Sequence, residues 1–97
     1  MKLFKDAELK EEITALDLGT VEAGSIKMFN FFVQNDQKCT MENLEFFTSH
    51  KEVKIFNAPK ILNEFEVAKF NVEWKPSVTI KKGLTTSLEI KGYEVWK

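Results

Sequence analysis

The chain holds one cysteine, Cys39, and one histidine, His50. Any nucleophilic site would have to use them, because a serine or cysteine nucleophile needs an adjacent base. Between the two lie Leu44 and Phe46, whose alternation predicts a strand. A strand advances by about 3.3 Å per residue, so Cys39 and His50 are expected at its opposite ends and out of contact. A tetrahedral zinc site needs four ligands, and one cysteine with one histidine falls short. The acidic runs Asp6 to Glu8 and Glu11-Glu12 lack the Asp-x-Asp-x-Asp-Gly spacing of a calcium loop and read as a solvated face. The four glycines never approach a phosphate-binding pattern. The expectation is no enzyme, no catalytic residue, no metal and no cofactor.

The composition narrows the partners. Fourteen basic and fifteen acidic side chains give a net charge of −1, with the signs interleaved, as in Glu73-Trp74-Lys75. Such a chain has no single-sign field to steer it to nucleic acid or anionic lipid. Every basic side chain is lysine, whereas arginine is the preferred fork for phosphate and guanine. No apolar run approaches the ~20 residues of a membrane span, and Met1-Lys2 opens no signal-type stretch. The single cysteine leaves no internal disulfide, which fits intracellular synthesis. The partner expected is therefore protein, with neither nucleic acid nor membrane.

Strand signals dominate. Phe29, Phe31 and Val33 alternate with Met28, Asn30 and Phe32, and Asn35-Asp36-Gln37-Lys38 reads as a turn. Leu44 and Phe46 begin a second run, and Val53 and Ile55 a third that stops at Asn57-Ala58-Pro59; Ile61-Leu62 begins a short fourth. Ala68, Phe70, Val72 and Trp74 form the clearest strand, ended by Lys75-Pro76-Ser77 because proline cannot donate to a ladder. Lys81-Lys82-Gly83 reads as a turn before Leu84, Thr86, Leu88 and Ile90, and the last run continues through Gly92, where a bulge is expected, to Trp96. About seven short strands with no helix predict one all-β, immunoglobulin-like antiparallel sandwich over residues 13–97. Residues 1–12 read as an N-terminal extension that docks on the sandwich or on a neighbour.

Apolar residues on the outward side are the more informative feature. With Phe29, Phe31 and Val33 inward, Met28 and Phe32 point out; with Leu44 and Phe46 inward, Phe47 points out; with Val53 and Ile55 inward, so does Phe56. On neighbouring strands these would form a patch of the kind that marks protein interfaces. The candidate interface is thus Met28, Phe32, Phe47 and Phe56, with Phe4 as the residue by which the first segment docks. Tyr93 and Trp96 form an alternative aromatic platform for a glycan-binding module.

Leu18-Gly19-Thr20-Val21-Glu22-Ala23-Gly24, the strand closing on Val33-Gln34-Asn35, and the strand ending in Trp74-Lys75-Pro76 together carry a resemblance. They resemble the immunoglobulin-like domains of the major sperm protein and ASPM–SPD-2–Hydin group, over roughly residues 16–90. Asn63-Glu64-Phe65-Glu66 departs from that pattern, standing where a Pro-Gly turn is usual. The resemblance implies a scaffold or interaction role. A free-standing module of this size is also similar to the accessory proteins that decorate phage heads and tails. By that analogy the partner is a capsid or tail protein or a second copy of the chain, and the location a virion.

Overall fold

The structure is a computed structural model that describes residues 1–77 and 80–96. Its strands are β1 (Lys2–Phe4), β2 (Glu12–Ile13), β3 (Leu16–Val21), β4 (Lys27–Gln34), β5 (Thr40–Thr48), β6 (Val53–Phe56), β7 (Val67–Trp74), β8 (Ile80–Thr86) and β9 (Leu88–Val95). One layer is a five-stranded antiparallel sheet in the order β2-β1-β4-β7-β6. The other consists of two antiparallel pairs, β3–β8 and β5–β9. The run β1-β4-β7-β6 has the A-B-E-D order of an immunoglobulin sheet.

Alternation explains the layers. In β4 and β7, Phe31 pairs with Phe70 and Phe29 with Val72, and all four turn the same way. Across the gap, the ring of Phe46 from β5 lies 5.4 Å from that of Phe70. Leu16, Leu18, Val33, Leu62, Phe70, Val72 and Trp74 are fully buried at this interface. Each such side chain stabilises the fold by roughly 1.5–3 kcal/mol through removal from water. The Trp74 indole N–H has no acceptor among the described residues, which offsets part of that gain by about 1–3 kcal/mol.

Asn35 pins the end of β4. Its side chain is completely buried, and Nδ2 donates to the carbonyls of Cys39 (2.7 Å), Leu62 (3.1 Å) and Asn63 (3.1 Å). Its Oδ1 accepts from the amide of Gln37 at 3.1 Å, closing the turn into β5. Gly24 and Pro76, two of the residues that carry the family resemblance, meet through a hydrogen bond from the Gly24 amide to the Pro76 carbonyl, 3.2 Å.

The first twelve residues dock on the sandwich itself: β1 pairs with both β2 and β4, and Leu3, opposite Val33, enters the core. The structure corrects the element list in two places. Residues Lys81-Lys82-Gly83 run within β8 instead of reversing the chain. There Gly83 and Gly19 both take positive φ, 84° and 69°, and the two backbones face each other across a bulged ladder. Ile61-Leu62 supplies a single bridge, Leu62 with Met41, and no full strand. The described residues thus form nine strands where about seven were expected. Since Ser87 alone separates β8 from β9, the run from Ile80 to Val95, at about 3.3 Å per residue, is long enough to span the 49 Å axis of the molecule.

Candidate interaction surface

The β5–β9 pair is built around one irregularity. Glu42 pairs with Tyr93 and Glu45 with Lys91, so β5 carries one residue more than β9 between these points. Asn43 absorbs it at φ 53°, a left-handed conformation that asparagine tolerates. The bulge was expected at Gly92 and lies opposite it, on β5. Gly92 is what lets the bulged strand approach: a Cβ there would stand 2.7 Å from Leu44 Cδ2 and 3.0 Å from the Glu42 carbonyl oxygen. A shallow dish of about 600 Å³ opens beside Gly92, lined by Asn43, Leu44, Glu45, Lys60, Lys91 and Tyr93.

The two edges of this pair differ. The far edge of β5 is partly covered, because Met41 and Leu62 exchange backbone hydrogen bonds of 2.9 Å and the Leu44 amide donates to the Lys60 carbonyl at 2.9 Å. The far edge of β9 pairs with no strand among the described residues. A cleft of about 470 Å³ opens against β9 between the layers, lined on one side by Leu88 and Ile90 of β9 with Met41 of β5 and on the other by Leu3 and Ile13 of β1 and β2. Leu88, Ile90 and Ile13 pack on the core yet remain only half-buried.

On the outer side of the pair, Phe47 lies opposite Glu89, and Lys91 follows two residues along β9. The Lys91 ammonium sits 5.6 Å from the centre of the Phe47 ring and 3.7 Å from Glu89, so one cation serves a ring and a carboxylate. Tyr93 and Val95 continue the same side, at 66% and 40% exposure. Trp96, 62% exposed, donates its indole N–H to Glu94 at 3.0 Å. Trp96 and Tyr93, the two residues of the alternative glycan platform, thus both stand in solvent.

The structure also divides the expected interface. Met28, Phe32, Phe56 and Phe4 belong to the five-stranded sheet, while Phe47 is on β5 in the opposite layer. Met28 and Phe56 are exposed and Phe32 is half-buried. Phe4 is 6% exposed, opposite Phe32 and Glu12 in the sheet, so it is a packing residue and not a contact. The centre of this outer face is polar: Asn57 donates to Asn71, and Asn71 to Asn30, a ladder that separates Met28 from Phe56.

Comparisons with protein-family models, with curated proteins and with solved structures found no match.

Cys39 and His50 flank β5, Cys39 just before Thr40 and His50 just after Thr48. Burial pushes the Cys39 thiol up from its ordinary value, and the charges of Glu94 and Glu64 push the same way. The thiolate, which is the nucleophile, is therefore suppressed. His50 Nδ1 accepts from the Glu52 amide at 3.2 Å, a turn contact. Among the described residues no three acidic, histidine or cysteine side chains gather to hold a metal. The unpaired edge of β9 was not visible to sequence reasoning. Leu88 and Ile90 announce an inward face, but strand order, which decides whether anything lies beside them, has no local signal.

Proposed function

We propose that this chain is a non-enzymatic interaction domain that joins a larger protein assembly through the β5–β9 side of its sandwich. One observation carries the reading: at the end of β9, Tyr93, Val95 and Trp96 all stand in solvent, next to a strand edge with no partner among the described residues. Exposed tyrosine and tryptophan bring large, rigid contact area at low entropic cost, and such residues dominate interface energetics. The face bearing Met28 and Phe56 is the weaker candidate, because the asparagine ladder breaks its apolar surface. A head or tail accessory of a virion is the narrower form of this reading and rests on the resemblance alone.

The test is position-specific photo-crosslinking in the source material. A photoreactive phenylalanine analogue replacing Tyr93 or Phe47 is expected to give one discrete adduct, and the same analogue replacing Lys69, on the far layer, none. Equal adducts at all three positions, or an adduct at Lys69 alone, would move the contact off the β5–β9 side.

A further inference from the structure

The cleft beside β9 has the form of a strand position. An immunoglobulin second sheet carries three strands, C, F and G. Here β5 and β9 pair as C and F do, and the place beside β9 is empty among the described residues. The chain itself fills only the neighbouring place. After β2 it leaves the five-stranded sheet and returns as β3, which pairs with β8, and Thr14, on that crossing, lines the end of the cleft.

We infer that this cleft is the seat of one extended segment from a partner polypeptide, which pairs antiparallel with β9 and completes the second layer. The inference rests on the interaction reading above and gives the partner's chemistry. Alternate amides and carbonyls along the eight residues of β9 point away from β5, and an unpaired edge is a template for an added strand. The cleft offers apolar walls at strand period, Leu88 and Ile90 above and Leu3 and Ile13 below. A segment with small β-branched residues at every second position would bury all four. The outward residues set its charges: Glu89 calls for a lysine opposite, and Lys91 for an acid. The lower lip presents Lys2 and Glu12, again of mixed sign, so the fitting segment is itself mixed.

A second copy offering its own β9 does not fit. A second copy would bring its own β1 and β2 as a covering layer, and the cleft already has those strands as its lower wall. Only a strand without a covering layer of its own enters.

The probe is a fluorescein-labelled octapeptide, Thr-Val-Thr-Val-Glu-Val-Lys-Val, titrated with the full chain and followed by fluorescence anisotropy. Saturable binding is expected, with slowed amide exchange along β9. Leu88→Glu and Ile13→Glu, placed on opposite walls, should each weaken it by about tenfold or more, the effect of about 1.4 kcal/mol. Either alone suffices if the other fails to fold, as circular dichroism will show. Exchanging the glutamate and lysine of the peptide should weaken binding by about threefold, as cross-strand pairs of roughly 0.2–1 kcal/mol imply. Lys69→Ser, on the far layer, should leave it within about twofold, a change below 1 kcal/mol. Absence of binding, or binding indifferent to both wall substitutions, overturns the inference. If Tyr93→Ser abolishes binding while the wall variants bind normally, the interaction reading stands and the strand seat falls. A dimer in light scattering that Leu88→Glu dissociates would assign the cleft to a second copy and equally overturn it.

Discussion

Replacing Asn35 with alanine tests how the sandwich is held together. The side chain is fully buried and joins the end of β4 to the turn before β5 and to the segment at Leu62-Asn63. Not all of its acceptors suffer equally when it is removed. The Leu62 carbonyl also receives the Met41 amide at 2.9 Å, and the Asn63 carbonyl receives the Glu66 amide at 3.0 Å. The Cys39 carbonyl, with the shortest contact, and the Gln37 amide are left exposed to the loss. A buried group without a partner costs roughly 1–3 kcal/mol and an ordinary hydrogen bond about 0.5–1.5, so Asn35→Ala should cost about 3 kcal/mol. That is a large fraction of the roughly 5–15 kcal/mol that holds a domain of this size. At about 4–8 °C per kcal/mol, Tm should fall by roughly 12–24 °C in calorimetry, and the urea midpoint should drop with an unchanged slope. Asn35→Asp should cost more at neutral pH, because a carboxylate would face the carbonyls of Cys39, Leu62 and Asn63 with no proton to offer, and should recover on acidification. A loss below about 1 kcal/mol for Asn35→Ala would refute the reasoning, since it would mean the pinned segments hold without the pin.

Two further outcomes follow from the same packing. Gly92→Ala would gain about 0.4–1 kcal/mol from a stiffer unfolded chain, but its Cβ would press on Leu44 and on the Glu42 carbonyl, an overpacking cost of about 1–3 kcal/mol, so urea denaturation should show net destabilisation. Three carboxyls lie below their ordinary values: Asp6 through the Glu11 and Lys10 amides, Asp36 through the amino terminus 2.9 Å away, and Glu52 through Ser77. Their unfolded values are 3.8 for the aspartates and 4.5 for the glutamate, so the stabilisation is complete above these values and is lost as pH falls through the lower folded ones. Tm should therefore decline from about pH 5 downward, and Glu52→Gln should flatten part of that decline.

Much of the fold was legible because its central strands are long and half-apolar. The alternations at Phe29-Phe31-Val33 and Phe70-Val72-Trp74 fix which side of β4 and β7 is inward, and those residues line the core or pack on it. Phe47 and Phe56 stand exposed for the same reason of period. Short elements carry no such signal. The three residues of β1 and two of β2 are too few to alternate, and they are strands only because β4 and β1 offer them edges. Phe4 shows the consequence: its outward parity is that of Phe32, yet it is buried, because burial depends on what covers a face and not on the strand alone. Lysine, lysine and glycine in sequence resemble a turn, but opposite Gly19 the positive φ of Gly83 makes a bulge inside β8. The contact surface was the least legible part, since it rests on which strand has no neighbour.

The most direct test of the account is residue-resolved amide exchange of the purified chain under dilute, monomeric conditions. In the parts of β4 and β7 that are paired on both sides, residues 32–34 and 71–74, amides of both parities should be protected. In β9 protection should alternate, with the amides facing β5 slow and those facing the cleft exchanging as fast as loop amides. Uniform protection along β9 in a monomer would mean that the edge is already covered, and would contradict the claim that this side of the sandwich waits for a partner.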